Sequence, residues 1–179
     1  MQSAWELFRP TSTKTIRCKL IIFPSQLFIR GDRTQIEQMI LNLLINARDA
    51  LEHTESARIT LRNEPASDKL PGWEHAAPEL SSDNYTCLRI KDNGCGIPPD
   101  IIKKVFEPFF TTKAVGKGTG MGLSMVYGTA SSHKGWIHLK SEENKGTEFF
   151  IYLPNFNAPS ADNITRYDMD INENVQTLH

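Results

Sequence analysis

The sequence of 179 residues has few cysteines, almost no net charge and no long apolar segment. Its three cysteines form no C-x-x-C pair, which argues against a disulfide framework or a cysteine zinc site and predicts a reducing compartment. A formal net charge of −1 provides no overall field to attract nucleic acid or an anionic membrane. The start lacks the basic and apolar regions of a signal peptide, and no run approaches the roughly 20 apolar residues that cross a bilayer. We therefore predict a soluble, cytoplasmic chain that contacts neither nucleic acid nor membrane.

The length predicts one principal domain with a substantial core. We place a short lead-in at residues 1–13, the domain at 14–153, and a flexible tail or linker at 154–179, where polar residues replace apolar ones. Residues 63–83 are rich in proline and small or acidic residues, which predicts a long surface loop between two strands. Such a loop is either functional or an insertion, and the lack of any motif in it favours an insertion.

Hydrophobic periodicity and turn residues predict a chain of alternating strands and helices. The predicted strands are 16–22, 27–30, 57–62, 85–91, 136–140 and 147–153, and the predicted helices are 34–51, 100–105 and 123–132. Asp32 or Thr34 suits the N-cap of the first helix. The last two strands form a hairpin around residues 144–146.

The helix at 34–51 carries an unusual polar stripe. Its apolar face consists of Ile36, Met39, Ile40, Leu43, Leu44, Ala47 and Ala50. Another side carries Gln35, Gln38, Asn42, Asn46 and Asp49. Amides and carboxylates hydrate well, and they can also hold a metal or orient a ligand. Taken alone, the stripe is compatible with a solvated face or with a binding site.

A glycine-rich segment at residues 116–122 precedes the helix at 123–132. Glycines allow backbone N–H groups to turn towards a ligand, and a helix N-terminus favours phosphate. The segment matches neither G-x-x-x-x-G-K-[ST] nor G-x-G-x-x-G. A flexible loop is the alternative interpretation.

A second glycine-containing segment, residues 92–96, follows a predicted strand directly. The carboxylate of Asp92 could accept hydrogen bonds from a ligand that packs against bare backbone at Gly94 and Gly96. A tight turn closed by an Asx hydrogen bond is the alternative.

Taken together and in order, five segments resemble the sequence boxes of the histidine kinase catalytic domain, a member of the GHKL superfamily. Residues 42–50 resemble the N box, 92–97 the first glycine box, 106–110 the F box, 116–122 the second glycine box and 146–149 the final short box. The resemblance covers about residues 15–153. Single boxes also occur in gyrase, mismatch-repair and chaperone ATPases, but the F box and the compact lid favour the kinases.

The resemblance implies an α+β Bergerat fold. In this fold a two-layer sandwich contains a mixed, mostly antiparallel sheet backed by about three helices. ATP and Mg²⁺ are the implied cofactors, and residues 106–120 would form the ATP lid.

The resemblance also implies a role for individual residues. Asn46 would coordinate Mg²⁺ with support from Asn42, and Asp92 would receive the adenine amino group. The other residues implied around the nucleotide are Gly94, Gly96, Ile97, Phe106, Lys113, Lys117, Gly118, Thr119, Gly120, Met121, Gly122, Leu123 and Thr147. Many kinases carry a Lys or Arg three residues after the magnesium asparagine, where this chain has Asp49. Whether Lys113 or Lys117 contacts phosphate therefore stays open.

The implied activity is ATP:protein-histidine phosphotransfer in a two-component system. None of the five histidines is followed by an acidic residue, so we expect the phosphoacceptor histidine domain to lie elsewhere in a longer protein. Residues 1–10 would then be the stub of a connecting helix, and a response regulator receiver domain would be the downstream partner. Hydrolysing relatives carry glutamate at position 42, so poor ATP hydrolysis is expected of Asn42. A GHKL-type ATPase switch and an anti-sigma-like serine kinase are the alternatives.

Overall fold

The structure is a computed structural model that describes residues 4, 5, 8, 16–23, 27–76, 80–113, 118–156 and 175–178. The strands are β1 (Arg17–Ile21), β2 (Leu27–Arg30), β3 (Arg58–Pro65), β4 (Tyr85–Asp92), β5 (Trp136–Glu142), β6 (Gly146–Pro154) and β7 (Val175–Leu178). The α-helices are α1 (Arg33–Ala50) and α2 (Gly122–Ser132), and short 3-10 helices span Trp73–His75 and Ser82–Asn84.

The central sheet has five strands in the order β1-β3-β4-β6-β5. Strand β1 runs parallel to β3, and the other neighbours are antiparallel. A separate antiparallel pair joins β2 and β7. The mixed, mostly antiparallel sheet confirms the predicted α+β architecture, and every predicted strand is present with small shifts at its ends.

Helix α1 forms where its sequence predicts it. The Asp32 carboxylate caps it by accepting a hydrogen bond from the Gln35 N–H at 3.1 Å. Its buried positions are Ile36, Met39, Ile40, Leu43, Leu44 and Ala47, which confirms the predicted apolar face apart from the half-buried Ala50. Burial of this face against the sheet fixes the rotation of the helix, and with it the direction of its polar stripe.

The two faces of the sheet belong to two separate cores. On the inner face, alternate residues such as Leu88, Ile90 and Ile151 pack under α1 and α2. Buried residues of the chain start, Ala4 and Trp5, join this core. The inner face is therefore the side on which the helices can present functional groups to the ends of the strands.

On the outer face, the segment between β3 and β4 covers an aromatic cluster. Trp73 lies 5.7 Å from Tyr152 and 5.3 Å from Trp136 between ring centroids. The Tyr152 hydroxyl donates to the Pro71 carbonyl at 2.7 Å, and the Trp136 indole N–H donates to the Gly72 carbonyl at 3.1 Å. Strand β3 reaches Pro65, so the predicted loop at 63–83 begins later than expected. Its described residues form a cover for the sheet.

The prediction of a helix at residues 100–105 is wrong. Residues 99–109 form a series of turns, in which Ile101, Lys104 and Glu107 donate backbone hydrogen bonds three residues back, at 3.2, 2.8 and 2.9 Å. The segment is short, β-branched and bounded by prolines, which leaves too few residues to nucleate an α-helix. The described residues contain the α-helices α1 and α2, and residues 4, 5 and 8 at the chain start are helical as well.

Within the described residues, we find no helix with both the length and the apolarity to span a membrane. The cytoplasmic location stays a prediction. The boundaries of the lead-in and tail also stay predictions, since residues 9–15 and 157–174 lie outside the described residues.

Candidate functional site

The candidate site lies where β4, β5 and β6 meet the C-terminal end of α1. Asp92 ends β4, and Thr147 stands near the start of the antiparallel neighbour β6, opposite Ser141 of β5. The Cys95 N–H donates to the Ala50 carbonyl at 3.0 Å, which ties the loop after β4 to the end of α1. Side chains from three strands and one helix are thereby brought to one edge of the inner face.

Asp92 is buried, with 4% of its surface exposed. Its Oδ1 accepts hydrogen bonds from the backbone N–H groups of Gly94 at 2.8 Å and Thr147 at 3.2 Å. Both hydrogen bonds that this carboxylate accepts from the described residues end on Oδ1. The arrangement fixes the orientation of the carboxylate and leaves Oδ2 as the oxygen that can accept from a ligand.

Burial raises the pKa of Asp92 from its usual 3.8 to about 6, against the opposing effect of the Gly94 and Thr147 hydrogen bonds. At neutral pH the group is therefore ionised but incompletely solvated. A ligand N–H that reaches it would replace missing hydration with a charge-assisted hydrogen bond.

The glycines around Asp92 are required by close backbone contacts. Gly96 has a φ of +69°, and a Cβ there would lie 2.1 Å from the Glu142 carbonyl oxygen. Gly146 has a φ of +104°, and a Cβ there would lie 2.3 Å from the Asp92 carbonyl oxygen. The turn after β4 can pack against the β5–β6 hairpin only with bare backbone at these positions.

Ser141 is a site residue that the sequence analysis missed. Its Oγ accepts from the Ile97 N–H at 2.8 Å, donates to the Gly146 carbonyl at 3.1 Å and lies 2.9 Å from Thr147 Oγ1. It therefore joins the loop after Asp92 to the start of β6. The only sequence signal was the alternation of β5, which places Ser141 on the same face as the apolar Ile137 and Leu139.

Asn46 lies on α1 beside the start of α2. A Cβ on Gly122, the first residue of α2, would lie 3.8 Å from Asn46 Nδ2. One turn earlier on α1, Asn42 Oδ1 accepts from Gln38 Nε2 at 3.0 Å. The two asparagines therefore follow the polar stripe predicted for this helix, and the glycine-rich segment leads into α2 next to Asn46.

Asp49 is surrounded by two cations. Its Oδ2 lies 2.5 Å from the Lys113 Nζ, and its Oδ1 accepts from Arg48 Nε and Nη2, both at 3.0 Å. The Lys113 ammonium is also 3.5 Å from Asn46 Oδ1. The acidic residue that the family resemblance left unexplained is thus neutralised by its neighbours.

The remaining predicted site residues surround the glycine-rich segment. Phe106 packs against the inner core, and its ring centroid lies 5.9 Å from that of Tyr127. Gly120 has a φ of +67° and contacts the backbone of Phe109. The Thr119 Oγ1 accepts from the Met121 N–H at 3.3 Å.

Leu123 is half-buried against the inner core, and Met121 is exposed. Gly118 lies close to the side chain of Lys113, because a Cβ on Gly118 would lie 3.1 Å from Lys113 Cδ. Lys117 lies outside the described residues, so its predicted phosphate contact stays a prediction.

Comparison with known proteins gives matches across the domain. Residues 31–157 match the family described as histidine kinase-, DNA gyrase B-, and HSP90-like ATPase. Sensor kinase CckA of Brucella abortus is 46% identical over 126 residues, which cover 70% of this chain and 13% of that protein. Two-component sensor PprA of Pseudomonas aeruginosa is 39% identical over 133 residues, which cover 73% of this chain and 13% of that protein. The chain thus spans only a small part of these relatives.

Solved structures give the same fold. The catalytic domain of histidine kinase ThkA is 28% identical with a TM-score of 0.65, and the match covers 86% of this chain and 90% of that chain. A mycobacterial sensor histidine kinase, MprB, has a TM-score of 0.67 at 24% identity over 88% of this chain and 93% of that chain, which is a likeness of fold.

Proposed function

Because this chain belongs to the histidine kinase-, DNA gyrase B- and HSP90-like ATPase family, we propose that it is the ATP-binding catalytic domain of a sensor histidine kinase. In this proposal it binds Mg-ATP and presents the γ-phosphoryl group to a histidine on a separate phosphoacceptor domain. The sensor kinases among its relatives support the kinase branch of the family over the gyrase and chaperone branches.

The observation that carries the proposal is the buried carboxylate of Asp92. Two backbone N–H groups hold Oδ1, so Oδ2 is the oxygen that we assign to a ligand N–H. An exocyclic amino group is the donor that suits such a carboxylate. We name Asp92, Gly96, Ser141 and Thr147 the adenine end of the site.

The second half of the site suits a chain of phosphates. We name Asn46, Asp49, Lys113 and Gly122 the phosphate end. The first turn of α2, which begins at Gly122, offers backbone N–H groups and the positive end of a helix dipole. The Lys113 ammonium adds a positive charge beside it.

The residues also fit a magnesium ion. Asn46 offers a hard, neutral amide oxygen beside the start of α2, and such an oxygen can complete a Mg²⁺ shell that phosphate oxygens and water otherwise fill. Asn46 would hold the Mg²⁺ ion, which would supply positive charge to neutralise the phosphates. The protein's own contribution is to hold the base at Asp92 and the phosphates at α2, so that the last phosphate meets an in-line nucleophile from outside.

Asn42 supports transfer to a protein over hydrolysis. Its amide accepts from Gln38 and cannot take a proton from water. We therefore propose that the chain by itself turns ATP over slowly. The phosphoacceptor histidine domain is the partner that this activity requires, and we propose a response regulator receiver domain as the downstream partner.

The first test is a calorimetric titration of the purified chain with Mg-ATP. The Asp92→Ala variant should lose tenfold or more in affinity, since a hydrogen bond to a charged group is typically worth about 1.5–3 kcal/mol. Circular dichroism should show that the variant stays folded. An unchanged affinity in a folded variant would remove the adenine end from the proposal.

The second test addresses the activity. The chain is incubated with γ-labelled Mg-ATP and histidine-containing helical hairpins of sensor kinases, with the same hairpins lacking the histidine as control. Acid-labile, base-stable label on an intact hairpin supports the histidine kinase. Rapid release of free phosphate without a hairpin would instead support the ATPase switch.

A further inference from the structure

We infer that Asp49 is a positioning residue that holds the Lys113 ammonium beside Asn46, so that Lys113 is the basic residue of the phosphate end. The inference deepens the proposed function and rests on it for the identity of the ligand.

The distances show which group fixes the lysine. The Lys113 Nζ lies 2.5 Å from Asp49 Oδ2, which is a short ion pair, but 3.5 Å from Asn46 Oδ1, which is at the outer limit of a hydrogen bond. Asp49 is therefore the main anchor. Asn46, one turn earlier on α1, receives the ammonium only because Asp49 holds it there.

Compensation of its negative charge explains why the Asp49 carboxylate can lie in the polar stripe of α1. An uncompensated carboxylate would repel a triphosphate. Asp49 instead gives one oxygen to Arg48 and the other to Lys113, so two positive charges surround one negative charge. The group as a whole is cationic, and its Lys113 ammonium lies 3.5 Å from Asn46, the residue beside the start of α2.

Donor geometry leaves Lys113 able to act on a ligand. An ammonium has three N–H donors, and two of them point at Asp49 and Asn46. The third is available to a phosphate oxygen while the Asp49 contact persists. Side-chain exposures of 34% for Lys113 and 29% for Asp49 leave the pair accessible from solution.

The backbone around Lys113 restricts its stem as well. The Lys113 N–H donates to Thr111 Oγ1 at 3.1 Å, and a Cβ on Gly118 would lie 3.0 Å from the same oxygen and 3.1 Å from Lys113 Cδ. The chain that returns after the glycines thus packs on the lysine stem. Asp49 therefore contacts the ammonium, and the backbone at Gly118 packs close to the stem of the same side chain.

The first measurement needs no nucleotide. Amide hydrogen exchange of a peptide covering residues 106–113 is compared in the wild-type chain, Asp49→Asn, Lys113→Met and the double variant. Each single variant should exchange roughly threefold faster, as expected for a part-exposed ion pair, and the double variant no faster than either. Additive or absent effects would overturn the inference, whatever the nucleotide result.

The second measurement uses ATP and adenosine as probes. Asp49→Asn should weaken Mg-ATP binding by roughly three- to tenfold, Lys113→Met at least as much, and the double variant no more than Lys113→Met. Adenosine affinity should not change in any of them. Asp49→Glu should restore most of the ATP affinity, and Glu55→Gln, which removes an exposed carboxylate after α1, is the matched control.

Two outcomes separate this inference from the proposed function. Tighter Mg-ATP binding by Asp49→Asn would mean that the carboxylate only repels phosphate, and would overturn the positioning role. A wild-type chain that binds neither ATP nor adenosine would refute the proposed function, while the exchange measurement would still decide whether Asp49 holds Lys113.

Discussion

The adenine end and the phosphate end of the site are built in different ways. At the adenine end, Asp92 and Thr147 are 4% and 5% exposed, and backbone N–H groups hold the carboxylate. At the phosphate end, Lys113 and Asp49 have a third of their side-chain surface in water and hold each other through charge. Backbone geometry preorganises the first end, and side-chain electrostatics organises the second.

This difference has an energetic consequence. A buried hydrogen bond to a charged group contributes about 1.5–3 kcal/mol, whereas an exposed ion pair contributes about 0–1 kcal/mol. The adenine end should therefore tolerate fewer substitutions and depend little on salt. The phosphate end should tolerate more and weaken as ionic strength rises.

The largest loss of stability should come from a substitution that adds a methyl group at the adenine end. Gly96→Ala places a Cβ against the Glu142 carbonyl at a positive φ, and should lower the free energy of unfolding by about 3 kcal/mol. Urea denaturation measures this. Gly128→Ala is the matched control, because its Cβ meets nothing within 4 Å on α2, and it should stabilise by about 0.5–1 kcal/mol. Equal effects of the two substitutions would contradict a backbone-built adenine end.

The next effect should come from the proposed metal ligand at the phosphate end. Asn46→Ala should lower ATP affinity about tenfold in the presence of Mg²⁺ by removing the amide oxygen. In the presence of a chelator the variant and the wild-type chain should bind ATP alike, and adenosine affinity should be unchanged in both conditions. An equal loss with and without Mg²⁺ would assign Asn46 to direct contact with the nucleotide.

The pH dependence of adenosine binding should report on the adenine end alone, because adenosine carries no phosphate group. Asp92 has a raised pKa of about 6, so at pH 5 only about one tenth of it is ionised and adenosine affinity should fall by up to tenfold from its value at pH 7.5. Asp92→Asn should bind weakly with a flat profile. A wild-type profile as flat as that of Asp92→Asn would contradict the charged adenine end.

The same raised pKa of Asp92 makes the stability of the fold depend on pH. Between pH 3.8 and about 6 the folded chain binds more protons at Asp92 than the unfolded chain, so its contribution to stability falls as pH rises through this window. Asp92→Asn should therefore gain stability relative to the wild-type chain as pH rises from 4 to 7. Thermal unfolding across this range checks the sign.

The smallest changes in stability and affinity should come from Ser141, which joins the loop after Asp92 to the start of β6. Ser141→Ala removes the acceptor of the Ile97 N–H and a partner of Thr147, and should lower the free energy of unfolding by about 1 kcal/mol and adenosine affinity about threefold. Ser131→Ala, at an exposed serine on α2, should change neither. A silent Ser141→Ala would remove Ser141 from the site.

Local sequence patterns predicted the fold well. The apolar repeat of α1 gave its buried face, and the alternation of the strands gave their positions, because these signals come from neighbouring residues. The helix at 100–105 failed for a local reason, since prolines and β-branched residues converted one short segment into turns. The family resemblance, and no pattern of periodicity, supplied the overall architecture.

The site was predicted only in part, because its remaining contacts are distant in sequence. Asp49 meets Lys113 across 64 residues, and Ile97 meets Ser141 across 44. No periodicity connects such pairs, so the sequence could show an unexplained carboxylate but not the lysine that neutralises it. Predicting Ser141 as a site residue would have required the register between β5 and β6, which no single segment determines.

The aromatic cover of the outer face has a practical consequence for measuring this protein. The chain has three tryptophans, of which Trp5 lies in the inner core and Trp73 and Trp136 lie together on the outer face. None of the residues that form the adenine and phosphate ends is a tryptophan. Intrinsic fluorescence should therefore follow the unfolding of the two cores and stay nearly constant when nucleotide binds, so that one sample reports stability by its emission and affinity by calorimetry without interference.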